Sequence, residues 1–340
     1  MVSSFFFRTF AAMNFTTTIL QWFRENGRSL PWRETRDAYA IWLSEIILQQ
    51  TRIEQGQPYW ERFMARWPKV ENLAEATEDE VLREWQGLGY YSRARNLHTA
   101  AQQIVAQGGF PQTLEGIKAL KGVGDYTAAA IGSIAFGIPA AVVDGNVYRV
   151  LARHYGISTP INTTAGKKEF AQLAQELLPQ NEASVYNQAM MDFGAIQCTP
   201  KSPRCGDCPL MESCVALREG RLDELPVKLH TLKVKERRLT YVYIRYQGET
   251  AFHRRGEGDI WQGLYEPWLT DEVPTGARLL RKDVKHVLTH RVIYADFWLW
   301  ETNKRPQLPE DYIWIKETEV DLYGVPRLVE LLMESLQSTI

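Results

Sequence analysis

The stretch Leu120–Leu151 constrains the fold most strongly, because it combines a tight glycine turn with two helix starts. It opens with Gly122-Val123-Gly124, and glycines one residue apart allow positive φ and a close approach of the backbone to a ligand. A helix of small residues is predicted from Asp125 to about Phe136, and free N–H groups at its start can bind an anion. The pattern predicts a helix-hairpin-helix phosphate clamp. An ordinary turn followed by a helix is the alternative.

The same stretch ends with the segment Asp144-Gly145-Asn146, which leads into another predicted helix. A carboxylate at a helix start is favoured in its ionised form by the positive end of the helix dipole. We therefore expect Asp144 to be a helix cap that keeps its negative charge.

Glu45 is a second candidate carboxylate, in a helix predicted over residues 37–51. It lies at the edge of a buried apolar stripe, in a row with Ile41 and Leu48 and with no lysine or arginine within a turn on that row. Burial without a cation raises the pKa of a carboxyl group, and a glutamic acid protonated near neutral pH can serve as a general acid. A glutamate that reaches water from the edge of the stripe is the alternative. The stripe consists of Tyr39, Trp42, Leu43, Ile46 and Ile47.

Two segments near this helix carry side chains suited to nucleic acid. In the first, Arg28 and Arg33 flank Trp32, which we expect to be exposed, as for phosphate and base-stacking contacts. A tryptophan that covers the core beside solvated arginines is the alternative. In the second, Gln50 and Thr51 end the helix with amide and hydroxyl groups that suit base edges.

The loop Gly87-Leu88-Gly89-Tyr90-Tyr91 places a leucine and aromatic rings between glycines, and Arg93 and Arg95 follow it. Apolar wedges beside arginines suit insertion into a base stack. A loop that packs on the protein surface is the alternative.

All four cysteines lie within seventeen residues, with the spacing C-x6-C-x2-C-x5-C and three prolines between them. Such a cluster favours a metal site over a disulfide framework. Four thiolates can hold zinc or a four-iron, four-sulfur cluster, and the spacing lacks the two C-x2-C pairs of a zinc ribbon. The cysteines are Cys198, Cys205, Cys208 and Cys214.

The length of 340 residues predicts two domains. The formal net charge of −2 means that nucleic-acid binding must depend on local geometry instead of bulk basicity. We predict a disordered leader over 1–14, a helical domain over 15–225, a linker over 226–236 and a small α+β domain over 237–340. Strands are predicted at Leu239–Tyr246, Ala295–Glu301 and Tyr312–Ile315, and a helix at Val325–Leu336.

Taken together, these motifs resemble the endonuclease III-like DNA glycosylases, and within them the MutY-type adenine DNA glycosylases. The resemblance covers nearly the whole chain after about Phe15. Its motifs are LKGVGDYTA, VVDGNVYRV, the cysteine spacing, LPWR (Leu30–Arg33), SEIILQQT (Ser44–Thr51), GLGYYSRARNLH (Gly87–His98) and, more weakly, WQGLYEPW (Trp261–Trp268).

The resemblance implies two helical lobes, one bearing a [4Fe–4S] cluster loop over 198–214, followed by a Nudix-like domain that recognises the lesion. It implies hydrolytic removal of adenine paired with 8-oxoguanine or guanine, after the adenine is flipped out of the duplex. Glu45 would be the general acid, Asp144 would stabilise the sugar cation, and Tyr126 and Asn146 would line the same site. The four cysteines would ligate the cluster. Residues implied in DNA and base contacts are Arg28, Leu30, Trp32, Arg33, Gln50, Thr51, Leu88, Gly89, Tyr90, Gly122, Gly124, Gln188, Thr289 and His290.

Two positions bear on details of the activity. In the lyase branch of this superfamily, the position of Tyr126 is a lysine that forms a Schiff base, so we expect a hydrolase with little strand cleavage, although Lys121 is nearby. The family reads 8-oxoguanine with a Phe-Ser-His loop, and the matching residues here are Leu288-Thr289-His290. The preference for 8-oxoguanine over guanine is therefore expected to differ.

Two other functions remain as alternatives: an endonuclease III-type glycosylase/lyase for pyrimidine lesions, and a non-catalytic iron–sulfur DNA-binding protein. The C-terminal domain shows no cluster of glutamates typical of Nudix hydrolysis, so it is expected to recognise, or only to stabilise. We further expect a monomer in a bacterial cytoplasm, associated with the nucleoid through DNA.

Overall fold

The computed structural model describes residues 2–229 and 234–337, with side chains described from residue 14 onward. The chain forms two compact units, one built from residues 1–50 and 100–230 and the other from residues 51–99 and 231–340. Each unit is therefore built from two separate segments of the chain. No helix in the described ranges is both long and apolar enough to cross a membrane.

The first unit is helical, and its helices begin and end at recognisable signals. Asp37 caps α2 by accepting from the Tyr39 N–H, and Asp144 caps α9. Gly137, with φ of 68°, ends α8 in the left-handed conformation that glycine tolerates best. The helices are α1 Val2–Asn26, α2 Ala38–Ile47, α7 Leu114–Lys118, α8 Asp125–Phe136, α9 Gly145–Tyr155, α10 Thr164–Leu177, α11 Ala183–Asp192 and α12 Val215–Arg218.

The core of this unit gathers around α8 and α9. The small-residue run in α8 is buried, and the helix packs against α2, α7 and α11, as the predicted close approach requires. Phe170 of α10 and Phe193, directly after α11, are fully buried against α9 and α1, and Trp22 meets Phe193 edge to face at 4.9 Å. This packing fixes the starts of α8 and α9, which carry the candidate site.

The second unit combines three helices and the first part of a fourth, all from residues 51–99, with a six-stranded sheet and a C-terminal helix. The sheet order is β4-β5-β1-β3-β2-β6, and β1 pairs with β5 in parallel while the other pairs are antiparallel. α13 packs on β4 and β5. The helices are α3 Ile53–Arg66, α4 Val70–Glu75, α5 Glu78–Glu84, α6 Ser92–Ala106 and α13 Arg327–Gln337; the strands are β1 Lys235–Arg245, β2 Glu249–Arg254, β3 Tyr265–Leu269, β4 Arg278–Val287, β5 Arg291–Glu301 and β6 Tyr312–Lys316.

The mixed sheet and the helical part confirm the predicted fold class, but several element predictions were wrong or incomplete. Three strands, β2, β3 and β4, were not predicted, because β2 and β3 are short, β3 contains Pro267 and β4 is a highly charged edge strand. The short helices α7 and α12 were also missed.

The chain ends and boundaries also differ from prediction. The segment expected as a disordered leader belongs to α1, which begins at Val2 and contains neither proline nor glycine; Met1 lies outside the described residues. The expected linker includes residues 230–233, which are likewise outside them, and β1 begins at Lys235. Residues 51–99, predicted as part of one helical domain, group with the sheet.

A substitution at Gly194, just after α11, tests how tightly the start of α9 is packed. A Cβ added there would lie 2.6 Å from Asn146 Cβ and 2.9 Å from the Asn146 carbonyl oxygen. We expect Gly194→Ala to lower the free energy of unfolding by about 1–3 kcal/mol, because the backbone of α9 must move. Urea unfolding measures this, with Gly256→Ala, where an added methyl meets open space, as the matched control. Equal stability of the two variants would contradict the close packing.

Candidate active site

The Glu45 carboxyl group lies in the helical unit among groups that the chain brings from distant positions. Some of its surface stays accessible, but the carboxyl itself is densely surrounded by protein atoms. Burial raises the pKa of Glu45 to about 7, a hydrogen bond from Tyr126 lowers it, the charge of Asp144 raises it and that of Arg33 lowers it. The pKa of Glu45 is raised, as predicted. The nearby positive charge of Arg33 was not expected, because Arg33 lies in the turn before the helix and not in the row of residues that includes Glu45.

Tyr126, in the first turn of α8, faces both Glu45 and a thioether. Its hydroxyl lies within hydrogen-bonding reach of the Glu45 carboxylate and donates to Met191 Sδ at 3.3 Å. Burial and the two nearby carboxylates raise the pKa of Tyr126 well above its ordinary value. The phenol is therefore a neutral donor in this site.

Asp144 is the N-cap of α9, as predicted. Its Oδ1 accepts from the N–H groups of Asn146 at 2.9 Å and Val147 at 2.8 Å, and its Oδ2 accepts from Asn146 Nδ2 at 2.7 Å. Burial raises the pKa of Asp144, whereas these hydrogen bonds and Arg149 lower it, and the net direction is upward. The expected downward influence of the helix start is present, but burial outweighs it.

Arg149, one turn further along α9, was not singled out from the sequence. Its guanidinium donates to Asn146 Oδ1 at 2.8 Å, to the Gly194 carbonyl at 2.7 Å and to the Cys198 carbonyl at 2.7 Å. These bonds join the Asp144 cap to the first residue of the cysteine loop.

Arg28 and Arg33 both bind Asp192, the last residue of α11. Asp192 has no exposed surface, and the two guanidinium groups donate to both of its oxygens. The expectation that Trp32 is exposed was wrong, since it and Leu30 are buried at 7% and 6% exposure. The segment Pro31–Arg33 forms a 3₁₀ turn, which places the apolar indole in the core.

The four cysteines lie in a loop whose surroundings suit an anionic thiolate cluster. Burial, followed by the charges of the other three cysteines, raises the pKa of Cys208 to about 11, so four bare thiolates would repel one another. Arg153 lies 3.5 Å from Cys198 Sγ and donates to the Thr199 carbonyl at 2.8 Å, which brings positive charge to the loop. The donor set fits an iron–sulfur group.

A single metal ion is a different case. Within the described ranges, no group of three or more His, Cys, Asp or Glu side chains is spaced to hold one. A four-iron cluster attaches one thiolate to each iron, so this finding concerns single-ion sites only.

The remaining predicted residues of the helical unit lie in three places. Gly122 has φ of 78°, and both Gly122 and Gly124 are exposed ahead of α8, as a backbone anion site requires. Gln188 is half-buried on α11 and contacts Ser184 at 3.2 Å. Gln50 is exposed with φ of 56°, whereas its neighbour Gln49, which was not assigned to the site, reaches Thr127.

The sheet-containing unit brings together the predicted lesion-binding residues. Tyr90 is 46% exposed and its hydroxyl hydrogen bonds to that of Thr289, while His290 is exposed beside it. Leu88, predicted as a wedge at the loop tip, is instead buried, and Thr51 accepts from Arg93 at 3.3 Å. A cavity of about 590 Å³ lies here, lined by Gly87, Leu88, Gly89, Tyr90, Tyr91, Ile260, Trp261, His286, Val287, Leu288, Thr289, His290, Arg291 and Arg327.

Comparison with known proteins assigns the chain. Residues 43–180 match the HhH-GPD superfamily of base excision DNA repair proteins, residues 198–214 the iron–sulfur binding domain of endonuclease III, and residues 240–335 the NUDIX domain. The adenine DNA glycosylase of Buchnera aphidicola from Schizaphis graminum is 35% identical over 254 residues, covering 74% of this chain and 73% of the relative. The chain belongs to the adenine DNA glycosylase family.

A further member of the family and two solved structures are also similar to the chain. The mouse adenine DNA glycosylase is 42% identical over 62% of this chain and 44% of the relative. A thermostable thymine-DNA glycosylase matches with a TM-score of 0.57 and 32% identity, covering 61% of this chain and 97% of that chain. A trapped endonuclease III–DNA complex shares the fold at a TM-score of 0.53 and 22% identity, covering 60% of this chain and 94% of that one.

Membership makes the chain a DNA glycosylase of base excision repair. The matched iron–sulfur domain also decides between the two cofactors that the cysteine spacing left open: the protein carries a [4Fe–4S] cluster, and the matched loop, residues 198–214, contains all four cysteines.

The raised pKa of Glu45 predicts a pH-dependent cost to stability. Its folded pKa of about 7 exceeds the ordinary 4.5, so the folded state binds more protons between these values and stability falls as pH rises through them. Glu45→Gln removes this cost. We expect the gain in the free energy of unfolding, relative to the parent, to grow by about 2–3 kcal/mol from about pH 5 to pH 8.

Urea unfolding followed by circular dichroism at both pH values measures this gain. Glu80→Gln is a control of opposite sign, because hydrogen bonds from the Thr77 backbone and side chain lower the pKa of Glu80. A gain for Glu45→Gln that is the same at both pH values would show that the carboxyl is not perturbed.

Proposed function

We propose that this enzyme hydrolyses the N-glycosidic bond of adenine paired with 8-oxoguanine or guanine, and that it does so without cleaving the strand. The observation that carries the proposal is the pair of buried carboxyl groups, Glu45 with its pKa near 7 and Asp144 held by three hydrogen bonds. Two carboxyl groups in different surroundings can divide acid and electrostatic roles between them.

Glu45 is the general acid of the proposed reaction. Near neutral pH a large fraction of it carries a proton, which it gives to the ring of a flipped adenine so that the base departs as a neutral leaving group. The resulting carboxylate then accepts a proton from the attacking water. The Tyr126 hydroxyl, within reach of both Met191 Sδ and Glu45, can donate its one proton to the Glu45 carboxylate after the first transfer and so orient it for the second.

Asp144 stabilises the positive charge that develops on the sugar. Its three hydrogen bonds from Asn146 and Val147 fix the carboxylate, so no reorganisation is needed when the charge appears. Arg149 holds the Asn146 amide and so fixes the donor to Asp144 Oδ2.

Other parts of the chain bind the duplex in this proposal. The exposed turn at Gly122 and Gly124 offers backbone N–H groups to a phosphate, and the Gln50 side chain is exposed for a base edge. Trp32, Arg33 and Gln188 are proposed to lie near the pocket for the flipped adenine. The [4Fe–4S] cluster, when bound, gathers the cysteine loop, which Arg149 and Arg153 hold by its carbonyl groups.

The cavity beside Tyr90 and Thr289 is the proposed 8-oxoguanine site. The exposed Tyr90 ring can stack on a base, and the Thr289 hydroxyl can contact the groups that distinguish the lesion. The hydrogen bond between these two side chains holds the loop and the hydroxyl together before DNA arrives. Leu288 supplies apolar contact but no aromatic ring.

Strand cleavage is not part of the proposed activity, because the position that carries the Schiff-base lysine in lyases is Tyr126. A phenol with a raised pKa stays neutral and does not form such an adduct.

Base release under single-turnover conditions tests the proposal. Duplexes with adenine opposite 8-oxoguanine, guanine or thymine are incubated with the enzyme and divided into samples quenched with and without alkali. We expect release from the first two, with strand breaks only after alkali, and loss of at least about 10²-fold in rate for Glu45→Gln with DNA binding retained. Breaks without alkali would support the lyase alternative, and binding without release would support the non-catalytic one.

Thr289→Val tests the lesion site, since it keeps the shape of the side chain and removes the hydroxyl. We expect the ratio of rates or affinities for 8-oxoguanine over guanine to fall by about 3–10-fold, the effect of about one hydrogen bond. Thr302→Val, in the turn after β5, is the control, because its hydroxyl accepts only from the nearby Lys304 N–H and donates to the Lys304 carbonyl. An unchanged ratio for Thr289→Val would place recognition elsewhere.

A further inference from the structure

Asp192 is a fully buried carboxylate that the reaction described above does not use. It accepts from the Arg28 backbone N–H at 2.9 Å and Nε at 3.0 Å, and from two nitrogens of Arg33 at 2.8 Å each. A further bond from the Arg28 guanidinium completes the set. One carboxylate therefore engages two guanidinium groups and fixes the turn that carries them.

These three charges do not cancel. Two guanidinium groups and one carboxylate leave a net positive charge in a site where the Arg33 side chain is only 13% exposed. Burial opposes the ionisation of Asp192, but hydrogen bonds and charges from Arg33 and Arg28 outweigh it and lower its pKa. Asp192 therefore offsets one of the two positive charges.

The charge of Arg33 also acts on the acid of the proposed reaction. The charged or titratable groups that act on Glu45 are Tyr126 from α8, Asp144 ahead of α9 and Arg33 from the 3₁₀ turn. A guanidinium released from its partner next to a buried carboxyl would pair with it and favour its ionised form. An ionised Glu45 has no proton to give.

We propose that Asp192 is a positioning residue for catalysis: by binding Arg33 through both of its oxygens, it keeps this guanidinium beside Glu45 without an Arg33–Glu45 ion pair. The bidentate geometry is the reason, because two parallel N–H···O bonds fix the orientation of the guanidinium plane. Arg28 shares the same carboxylate and so weakens its hold on Arg33. This inference rests on the proposed role of Glu45 as the acid.

The experiment is the pH profile of single-turnover adenine release, from about pH 5 to pH 9, for the parent, Asp192→Asn, Arg28→Gln and the double variant Asp192→Asn/Arg33→Gln. In the parent the rate should fall as Glu45 ionises near pH 7. Asp192→Asn keeps the shape of the side chain but removes its charge, so we expect this variant to move the fall to lower pH by about one unit. The ratio of the parent rate to the variant rate should then be about sevenfold larger at pH 8 than at pH 5.5.

The other two variants have different expected directions. Arg28→Gln leaves Asp192 to Arg33 alone and should move the fall to higher pH. The double variant removes the released guanidinium and should return the fall towards its position in the parent, whatever the absolute rate. A role confined to folding would lower the rate by one factor at every pH, and that result would overturn the proposal.

Two further readouts keep the test decisive. If Asp192→Asn does not fold, judged by circular dichroism, the Arg28→Gln profile decides, and a fall that is unmoved or at lower pH rejects the proposal. If the parent releases no adenine, the proposed function fails, but stability still tests Asp192. The gain from Glu45→Gln between pH 5 and pH 8 should then be smaller in the Asp192→Asn background, and an equal gain rejects the inference.

Discussion

The candidate site depends on keeping a carboxylic acid protonated inside a protein that also places an arginine beside it. Burial alone raises the pKa of a carboxyl group, and an adjacent guanidinium reverses much of that effect. The chain resolves the conflict with geometry: Glu45 receives a neutral hydrogen-bond donor, Tyr126, while Arg33 is engaged by the carboxylate of Asp192. Each of the two groups thus has a defined partner: Tyr126 for Glu45 and Asp192 for Arg33.

Helix α9 connects this chemistry to the iron–sulfur loop. Its first turn holds Asp144 by backbone N–H groups, its second turn presents Arg149 to Asn146 and to the Cys198 carbonyl, and Arg153 one turn later contacts Cys198 Sγ and neighbouring carbonyls. One helix therefore positions Asp144, the proposed catalytic carboxylate, at its start and the cysteine loop along its side. The cluster can influence bond cleavage without taking part in it, because Arg149 hydrogen bonds both to Asn146, which holds Asp144, and to the Cys198 carbonyl.

Short-range patterns in the sequence were sufficient for much of this arrangement. The glycine turn before α8, the Asp144 cap and the edge position of Glu45 follow from local spacing, and the structure has all three. The pairing of Arg28 and Arg33 with Asp192 was not predictable, since about 160 residues separate the partners and nothing in the sequence around Asp192 marks it. The burial of Trp32 was missed for a related reason: a 3₁₀ turn and an exposed loop share the same proline and arginine composition.

The strands of the sheet were also predicted only in part. β1 and β5 carry the β-branched and aromatic residues typical of buried strands, whereas β4 is an edge strand whose charged sequence reflects its position instead of its conformation. Edge strands are often charged because charge discourages pairing with another chain. Composition therefore predicted the long strands β1 and β5 and the edge strand β6, but it missed the charged edge strand β4 and the short interior strands β2 and β3.

The parallel pairing of β1 with β5 has a consequence for how the chain is made. Lys235 pairs with Arg291 and Arg245 with Glu301, so each residue of β1 meets its partner 56 positions later. During synthesis β1 leaves the ribosome long before β5, and until then one edge of an apolar strand is unpaired. A nascent chain that ends between these two strands therefore leaves one edge of β1 open to pairing with another chain.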